Sequence, residues 1–239
     1  MKAKQILLAL SLMYDGNWNE IFNRIQTKNI PSENEMENVI KDFTGNFITI
    51  LDEEYPESLK QAYKPPFVLF YDGNLDLLIN NVQNKLTIAD EKHTNDTYRK
   101  QNNMLLQGLK NTTLVLLGET ETNGYLINNH KYHIIKVQSS YNPLEKGNDK
   151  MLVLSETYGK GNSPYESSRI ASAISKKLLV LNCGVHSPVL MAVNYFLQAG
   201  KDVLVKPTDI GNPNVNNMLI YQGAIPVYND ISLQDEINA

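Results

Sequence analysis

The stretch from Phe47 to Leu78, FITILDEEYPESLKQAYKPPFVLFYDGNLDLL, combines two apolar runs with an unusual set of turn residues. In its first part, β-branched and polar residues alternate from Phe47 to Asp52. This alternation is typical of a half-buried strand. Tyr55-Pro56 then predicts the end of that strand, because proline cannot donate to a β ladder.

The second part of the stretch predicts a short helix, a turn and another strand. Ser58 to Tyr63 can form one or two helical turns, after which Pro65-Pro66 forces extended backbone. The apolar run from Phe67 to Tyr71 has strand character, and Asp72-Gly73-Asn74 supplies residues that tolerate a positive φ. The whole stretch therefore predicts two strands joined by a turn-rich connection.

Short apolar runs alternate with helical patterns throughout the rest of the chain. Continuous apolar strands separated by helices indicate a parallel sheet with helices on both faces. In such a sheet, ligands bind beyond the carboxyl ends of the strands. The predicted strands are 86–89, 113–118, 133–137, 151–155, 177–182, 202–206 and 224–228, and the predicted helices are 94–109, 166–175, 187–199 and 214–222.

The first 45 residues predict three short helices. Asn17 with Glu20, and Ser32 with Glu35, stand at the spacing of a capping box. We therefore expect an α/β protein with two domains. A small helical domain of SAM-like type over 1–45 would precede an extended Rossmann-like domain over 46–239.

The charge of the chain is uneven along its length. The first 80 residues carry 12 acidic and 7 basic side chains, whereas residues 81–239 carry 14 and 15. A nearly neutral second part is far from a strongly basic domain, so binding of nucleic acid would need a local patch. Overall charge argues neither for nor against such binding.

Cysteine content and apolar runs set further bounds. A single cysteine, Cys183, excludes an intramolecular disulfide and any metal site with several cysteines, which fits a reducing cytoplasm. No run approaches the ~20 apolar residues that span a bilayer. No GxGxxG or P-loop string occurs, so the usual nucleotide cofactors are not expected. We expect a cytoplasmic protein with no metal, no cofactor and no membrane association.

The order ILDxxYPxxLxxxxxPPxxLFYxGNLxLL within the first stretch resembles the segment that leads into the Rossmann-like domain of the DNA processing protein A (DprA, or Smf) family. The resemblance extends to about Ser232 with the motifs in order. MLVLSETYGKGNSP at 151–164, GKDVLVKP at 200–207 and NNMLIYQGA at 216–224 are each similar to a family segment. We interpret the chain as a divergent, shortened member of this family.

The resemblance implies a DNA-binding protein and no enzymatic activity. Members of the family bind single-stranded DNA, dimerise through the Rossmann-like domain and load RecA during natural transformation. By this resemblance the partners would be single-stranded DNA, a RecA-type recombinase and a second copy of the chain. We expect the dimer interface in the later part of the Rossmann-like domain, on the apolar helix from Val189 to Leu197. The alternative is that this helix is buried against the sheet.

Several ligand-binding motifs of the family are altered in this chain. Asp90-Glu91-Lys92 stands where the family has G-S-R, and Leu117-Gly118 precedes a polar segment where the family has SGxAxGID. Ser167-Ser168-Arg169 replaces R-N-R, and Ser187-Pro188-Val189 replaces SGS. Because phosphate contacts dominate such binding, we expect only weak affinity for single-stranded DNA.

The expected phosphate-binding patch combines strand ends and helix starts. Asp90 and Glu91 should repel phosphates there, and replacing Lys92 and Arg169 should weaken binding. The alternatives are an ordinary capped helix at 182–188 and a surface helix start at 167–169. The predicted contact residues are Lys92, Gly118, Arg169, Ser167, Ser168 and Ser187, helped by Lys131 and Lys160.

Other functions remain open at the level of the sequence. Cys183, His186 and Glu156 could form a nucleophile, base and orienting group, but no catalytic signature surrounds Cys183, so an inert buried thiol is favoured. His130 and His133 fit a solvated edge better than a metal site. A nucleotide-binding or nucleotide-cleaving enzyme would resemble the lonely-guy hydrolases, whose PGGxGTxxE string is missing. The third possibility is a scaffold that binds a protein partner and no DNA.

Overall fold

The computed structural model of the 239-residue chain describes residues 1–80, 84–91, 96–118, 120–129, 131–159, 164–209 and 215–239. The helices are α1 Ala3–Met13, α2 Trp18–Gln26, α3 Glu33–Lys41, α4 Glu57–Lys60, α5 Asp76–Ile79, α6 Asp96–Leu106, α7 Glu121–Asn128, α8 Pro164–Ile174, α9 Val189–Gln198, α10 Asn216–Tyr221 and α11 Asp230–Asn238. The strands are β1 Asn46–Thr49, β2 Val68–Gly73, β3 Asn84–Ala89, β4 Thr112–Leu117, β5 His133–Val137, β6 Met151–Ser155, β7 Lys177–Val180, β8 Val203–Val205 and β9 Ile225–Pro226.

The described strands form one sheet in the order β1-β2-β6-β5-β4-β3-β7-β8-β9. The seven strands from β3 to β9 pair in parallel, whereas β2 runs antiparallel to both of its neighbours. The predicted parallel sheet is therefore confirmed, and the antiparallel pair β1-β2 is added at one edge. In this sheet β4, β3 and β7 are adjacent, so their carboxyl ends meet.

Helices cover both faces of the sheet because the central strands are apolar on both sides. On β4, Leu114 and Leu116 face a core that includes Leu106 of α6 and Leu233 of α11. Val115, between them, faces the opposite core with Ile170 of α8. Successive side chains of a strand point to opposite faces of the sheet. Because helices cover both faces here, consecutive positions of a central strand are apolar.

The N-terminal helices pack against the outer face of β2. Leu7 and Leu8 of α1 share a buried cluster with Val68 and Phe70 of β2. The predicted caps are present, since the Asn17 side chain accepts from the amide of Glu20 and Ser32 forms a capping box with Glu35. The three predicted helices are confirmed, but they share their core with the sheet. The boundary after residue 45 stays a prediction.

Three helices lie outside the sequence prediction: α5, α7 and α11. The last of these begins with a capping box between Asn229 and Ser232, a signal that the sequence did contain. The predicted helix from Val189 to Leu197 packs with Val189, Val193 and Phe196 in a core beneath it. Within the described ranges, none of the helices combines the length and the apolar character that crossing a membrane requires.

Candidate nucleic-acid interface

A cavity of about 670 Å³ opens at the carboxyl edge of the parallel strands. Gly118 follows β4, Glu91 follows β3 and Ser187 follows β7, so three adjacent strands deliver residues to one place. We call this cavity the cleft. Its lining residues are Ala89, Asp90, Glu91, Leu117, Gly118, Thr120, Lys136, Val137, Gln138, Ser139, Ser140, Asn142, Glu145, Ser167, Ser168, Ser187, Pro188, Val189 and Ala192.

Gly118 turns the chain out of β4 and into the short helix α7. Its φ of +67° lies in the left-handed region, which favours glycine. The Asn123 side chain then donates to the carbonyls of Leu117 and Gly118, both at 3.0 Å. This side chain therefore fixes the strand end that borders the cleft.

Ser187 lies where the loop after β7 enters α9. Its hydroxyl accepts from the amide of Val189 at 3.3 Å, and its carbonyl accepts from the amide of Leu190 at 3.1 Å. The helix start predicted after 182–188 is present, although the residue that directly precedes α9 is Pro188, which makes no side-chain cap; Ser187 is almost fully buried. The hydroxyl has a structural partner and also borders the cleft.

Asp90 is held by neutral side chains on three other elements. Its carboxylate accepts from Asn182 at 2.8 Å, from Thr122 at 2.6 Å and from Asn102 at 3.3 Å. Asn102 in turn accepts from the ammonium group of Lys206 at 2.5 Å. Burial lowers the pKa of Lys206, and the Asp90 carboxylate partly opposes that change. The sequence predicted Asp90 only as a repulsive charge and missed this network.

Glu91 reaches across to the loop after β7. Its Oε2 accepts from the backbone amide of Gly184 at 2.6 Å. That amide belongs to the segment predicted to face a phosphate, so a carboxylate of the chain already occupies it.

Arg169 lies outside the cleft, and its placement differs from the expectation. Its Nη2 donates to both carboxylate oxygens of Glu156 in an ion pair, and its Nη1 donates to the carbonyl of Lys64. Both ion-pair partners are buried. We call Arg169, Glu156 and the carbonyls of Tyr63 and Lys64 the clamp. Because the clamp uses the charge of Arg169 internally, Arg169 does not carry over as a phosphate contact.

Ser167 and Ser168 do border the cleft, although they directly precede Arg169 on α8. Successive residues on a helix point in directions about 100° apart, so residues of one helical turn can contact two different regions, here the cleft and the clamp. The predicted surface helix start is wrong for this part of α8, because Ser167, Ser168 and Arg169 are all buried. The three-residue motif is therefore divided between the cleft and the clamp.

The predicted lysines do not gather at the cleft in the described structure. Lys131 precedes β5, which places it at the amino edge of the sheet, where it donates to the carbonyl of Gln107 at 2.9 Å. Its predicted role in the patch is thus not supported by its position. Lys92 and Lys160 lie outside the described residues.

Carboxylates outnumber cations along the described lining of the cleft. Glu145 pairs with Lys136 at 2.5 Å, and Asp90 and Glu91 contribute two further negative charges. Hydroxyl and amide groups from Thr120, Gln138, Ser139, Ser140 and Asn142 complete the polar surface. The hydroxyl and amide groups of this lining can donate hydrogen bonds to a polar ligand. The excess of negative charge, however, weakens the attraction of the cleft for phosphate groups.

The alternative catalytic group is not assembled. Glu156 follows β6 and Cys183 follows β7, and four strand spacings separate these strands, or roughly 19 Å. Burial, followed by the Glu91 carboxylate, raises the pKa of the Cys183 thiol to about 12. His186 is exposed. Cys183 therefore fits the favoured interpretation of an inert buried thiol.

His133 begins β5, and Tyr158 lies in the segment after β6. His130 lies outside the described residues, and no cluster of metal ligands occurs among those that are described. Tyr158 stacks on Tyr141 with ring centroids 5.7 Å apart and donates to the carbonyl of Thr44 at 3.2 Å. It packs between the N-terminal helices and the sheet, which supports a structural role.

Comparison with known proteins gives consistent results for sequence and fold. The family model for DNA recombination-mediator protein A matches residues 46–115. The chain is 28% identical over 198 residues to DNA processing protein DprA of Streptococcus pneumoniae, which covers 74% of this chain and 68% of that protein.

Two solved structures extend the similarity over the whole fold. The X-ray structure of DprA from Streptococcus pneumoniae matches with a TM-score of 0.70 at 22% identity, covering 98% of this chain and 93% of that one. DprA from Helicobacter pylori, whose structure concerns a unique mode of single-stranded DNA binding, matches with a TM-score of 0.66 at 16% identity, covering 81% and 95%.

Proposed function

Since the chain belongs to the DNA recombination-mediator protein A (DprA) family, we propose that it binds single-stranded DNA without sequence preference and passes it to a RecA-type recombinase. The proposed role is binding during DNA processing and natural transformation, with no catalytic step. The site is the cleft at the carboxyl edge of the sheet.

One observation carries this proposal. Gly118, Ser167, Ser168 and Ser187 come from three separate segments of the sequence, and all four border the same cavity. They are four of the positions that the altered family motifs predicted. Their convergence at the carboxyl edge of parallel strands supports a ligand site there.

The cleft would contact a DNA strand through hydroxyl and amide groups more than through charge. Ser139, Ser140 and Asn142 supply such groups on the wall that follows β5. Lys92, which directly follows the cleft residue Glu91, and Lys160 are proposed from the sequence as the cations that meet phosphate. Weak binding is expected, because electrostatic attraction supplies most of the affinity in nonspecific complexes.

A titration of the wild-type chain with oligodeoxythymidylate at several salt concentrations tests the proposal. Binding at low salt should weaken as salt rises, with log K falling by about 0.7 per phosphate contact for each unit of log salt. Lys92→Ala should weaken binding and flatten that slope. Lys131→Ala is the matched control, because Lys131 lies at the opposite edge and its loss should change neither quantity.

The scaffold alternative is favoured by one specific observation, the excess of carboxylates along the described lining. A scaffold that binds a protein partner would show no DNA binding even at low salt. That result would reject the DNA proposal and leave the acidic cleft as a surface for a protein.

We also propose that the chain forms a homodimer through the later part of the Rossmann-like domain. Most apolar side chains of α9 pack inward, but Leu197 is exposed, as are Met218 and Tyr221 of α10 and Tyr228 and Ile231 near α11. Multi-angle light scattering should give twice the monomer mass of 27.0 kDa. A monomer at high micromolar concentration would contradict dimerisation. Tyr221→Lys should favour the monomer without unfolding the chain, since Tyr221 is 91% exposed.

A further inference from the structure

Glu91, which lines the cleft, accepts a hydrogen bond from the amide of Gly184 in the loop after β7. The 2.6 Å distance between Glu91 Oε2 and the Gly184 nitrogen is that of a charge-assisted hydrogen bond. A Cβ on residue 184 would lie 2.7 Å from Glu91 Oε2, so the carboxylate rests directly against the backbone. Glycine at this position permits that approach.

The contact follows from the pairing of β3 with β7. Beyond the last paired residues, the amide of Leu181 donates to the carbonyl of Ala89 at 2.9 Å. The Asn182 side chain then donates to Asp90 at 2.8 Å, and Gly184 donates to Glu91. The last residue of β3 and the two residues that follow it are thus each bonded to the segment that follows β7. The position of Glu91 is therefore set by the sheet.

The loop that contains Gly184 leads into α9, where Ser187, Pro188 and Val189 border the cleft. Loop amides before a helix, together with the helix dipole, favour negatively charged groups. A carboxylate and a phosphate oxygen compete for the same kind of donor. In this chain the side chain of Glu91 supplies the anion.

We propose that Glu91 is a built-in competitor of phosphate, which sets the affinity of the cleft for DNA. This inference rests on the proposed function. An incoming phosphate group meets the negative charge of Glu91 and must displace its carboxylate before it can accept from the Gly184 amide. Glu91 therefore keeps binding weak and readily reversible.

Two substitutions separate the charge from the occupied amide. Glu91→Gln removes the charge but keeps an oxygen that can accept from Gly184. Glu91→Ala removes both the charge and the acceptor. With oligodeoxythymidylate at low salt, Glu91→Ala should bind about tenfold more tightly than the wild type, as expected for one charge-assisted hydrogen bond gained. Glu91→Gln should lie between the two.

Asp72→Asn is the matched control. Asp72 also accepts from a glycine amide, that of Gly147 at 2.8 Å, and it does not border the cleft. The substitution changes the net charge by the same amount as Glu91→Gln. It should leave DNA affinity within about twofold of the wild type, because Asp72 lies on β2 and does not line the cleft.

A second readout needs no DNA. The Gly184 amide signal in an ¹H–¹⁵N spectrum should move when inorganic phosphate is added to Glu91→Ala, and should stay in place in the wild type. An unmoved Gly184 signal in Glu91→Ala would overturn the inference. So would DNA affinity in Glu91→Ala equal to that of the wild type.

The two readouts distinguish failure of this inference from failure of the proposed function. If the wild type binds DNA and Glu91→Ala binds no better, the inference fails and the function stands. If no variant binds DNA but phosphate moves the Gly184 signal in Glu91→Ala, the competitor role stands and the proposed function fails.

Discussion

Ser168 and Arg169 are neighbours in the chain, yet they belong to regions with opposite character. Ser168 borders the cleft, whereas Arg169 belongs to the clamp and reaches Glu156 and the carbonyl of Lys64. In the clamp, every charge has a buried partner of opposite sign. In the cleft, hydroxyl groups and excess carboxylates face an open cavity.

The difference shows that a basic residue at the position of a family binding motif can instead form a buried ion pair that stabilises the fold. A buried guanidinium needs a carboxylate close by, since leaving it unpaired is very costly. Glu156 meets that need, and the carbonyls of Tyr63 and Lys64 tie the same group to the proline-rich segment before β2. Arg169 therefore serves the stability of the fold, and the contact with DNA that we propose lies in the cleft.

Arg169→Ala should have the largest effect and should act on stability. It removes one partner of the buried Arg169–Glu156 ion pair, which typically costs about 3–5 kcal/mol in the free energy of unfolding. Urea unfolding measures this loss. In conditions where the variant is folded, its affinity for single-stranded DNA should match that of the wild type within about twofold.

The double variant Arg169→Ala, Glu156→Gln is the control for this assignment. This double variant also removes the negative charge of Glu156, so it should be more stable than Arg169→Ala alone. If folded Arg169→Ala protein loses much of its DNA affinity but little stability, Arg169 contacts DNA and the assignment to the clamp is wrong.

The pH dependence of stability tests whether Cys183 belongs to the buried core beside the cleft. The raised pKa of Cys183, about 12, means that the folded thiol keeps its proton where an unfolded thiol, with a pKa of roughly 8.5, has lost it. This thiol's contribution to stability is complete below pH ~8.5 and is lost as the pH rises toward 12.

The stability difference between the wild type and Cys183→Ala should therefore shift against the wild type by up to ~1.4 kcal/mol for each pH unit within this window. Denaturant unfolding at pH 8 and pH 10 provides the comparison. Parallel stability profiles for the two proteins would show that the thiol ionises equally in both states, as a reactive exposed cysteine would.

Ser139→Asp should have the smallest effect, and only on binding. It adds a carboxylate to the cleft wall, which should weaken DNA affinity about fivefold, since two like charges about 4 Å apart in water repel by ~1 kcal/mol. Ser58→Asp, on the exposed side of α4, is the matched control with the same net charge. Equal affinities for the two variants would place the DNA elsewhere.

Much of the fold was predictable because the central strands are covered on both faces. The runs HIIKV and MLVLS predicted strands at 133–137 and 151–155, and both strands have these bounds. Continuous apolar character is a strong signal over such short segments. The edge strand β9, by contrast, has two residues where five were predicted, because only Ile225 and Pro226 pair with β8.

The site was less predictable because its contacts depend on strand order. Glu91 and Gly184 are 93 residues apart and meet only because β3 pairs with β7. Arg169 and Glu156 are 13 residues apart, but Glu156 directly follows β6 and Arg169 lies on α8, so their contact depends on how α8 packs against the sheet. The positions Gly118 and Ser187 could be predicted, since the carboxyl ends of parallel strands converge regardless of order.

Hydrogen–deuterium exchange with and without oligodeoxythymidylate tests most directly whether the cleft, and not the clamp, contacts DNA. Binding should slow exchange in peptides that contain Gly118, Ser139 and Ser187, and should leave the Tyr63 to Pro66 segment unchanged. Slower exchange at that segment with no change around the cleft would contradict the assignment of these two regions.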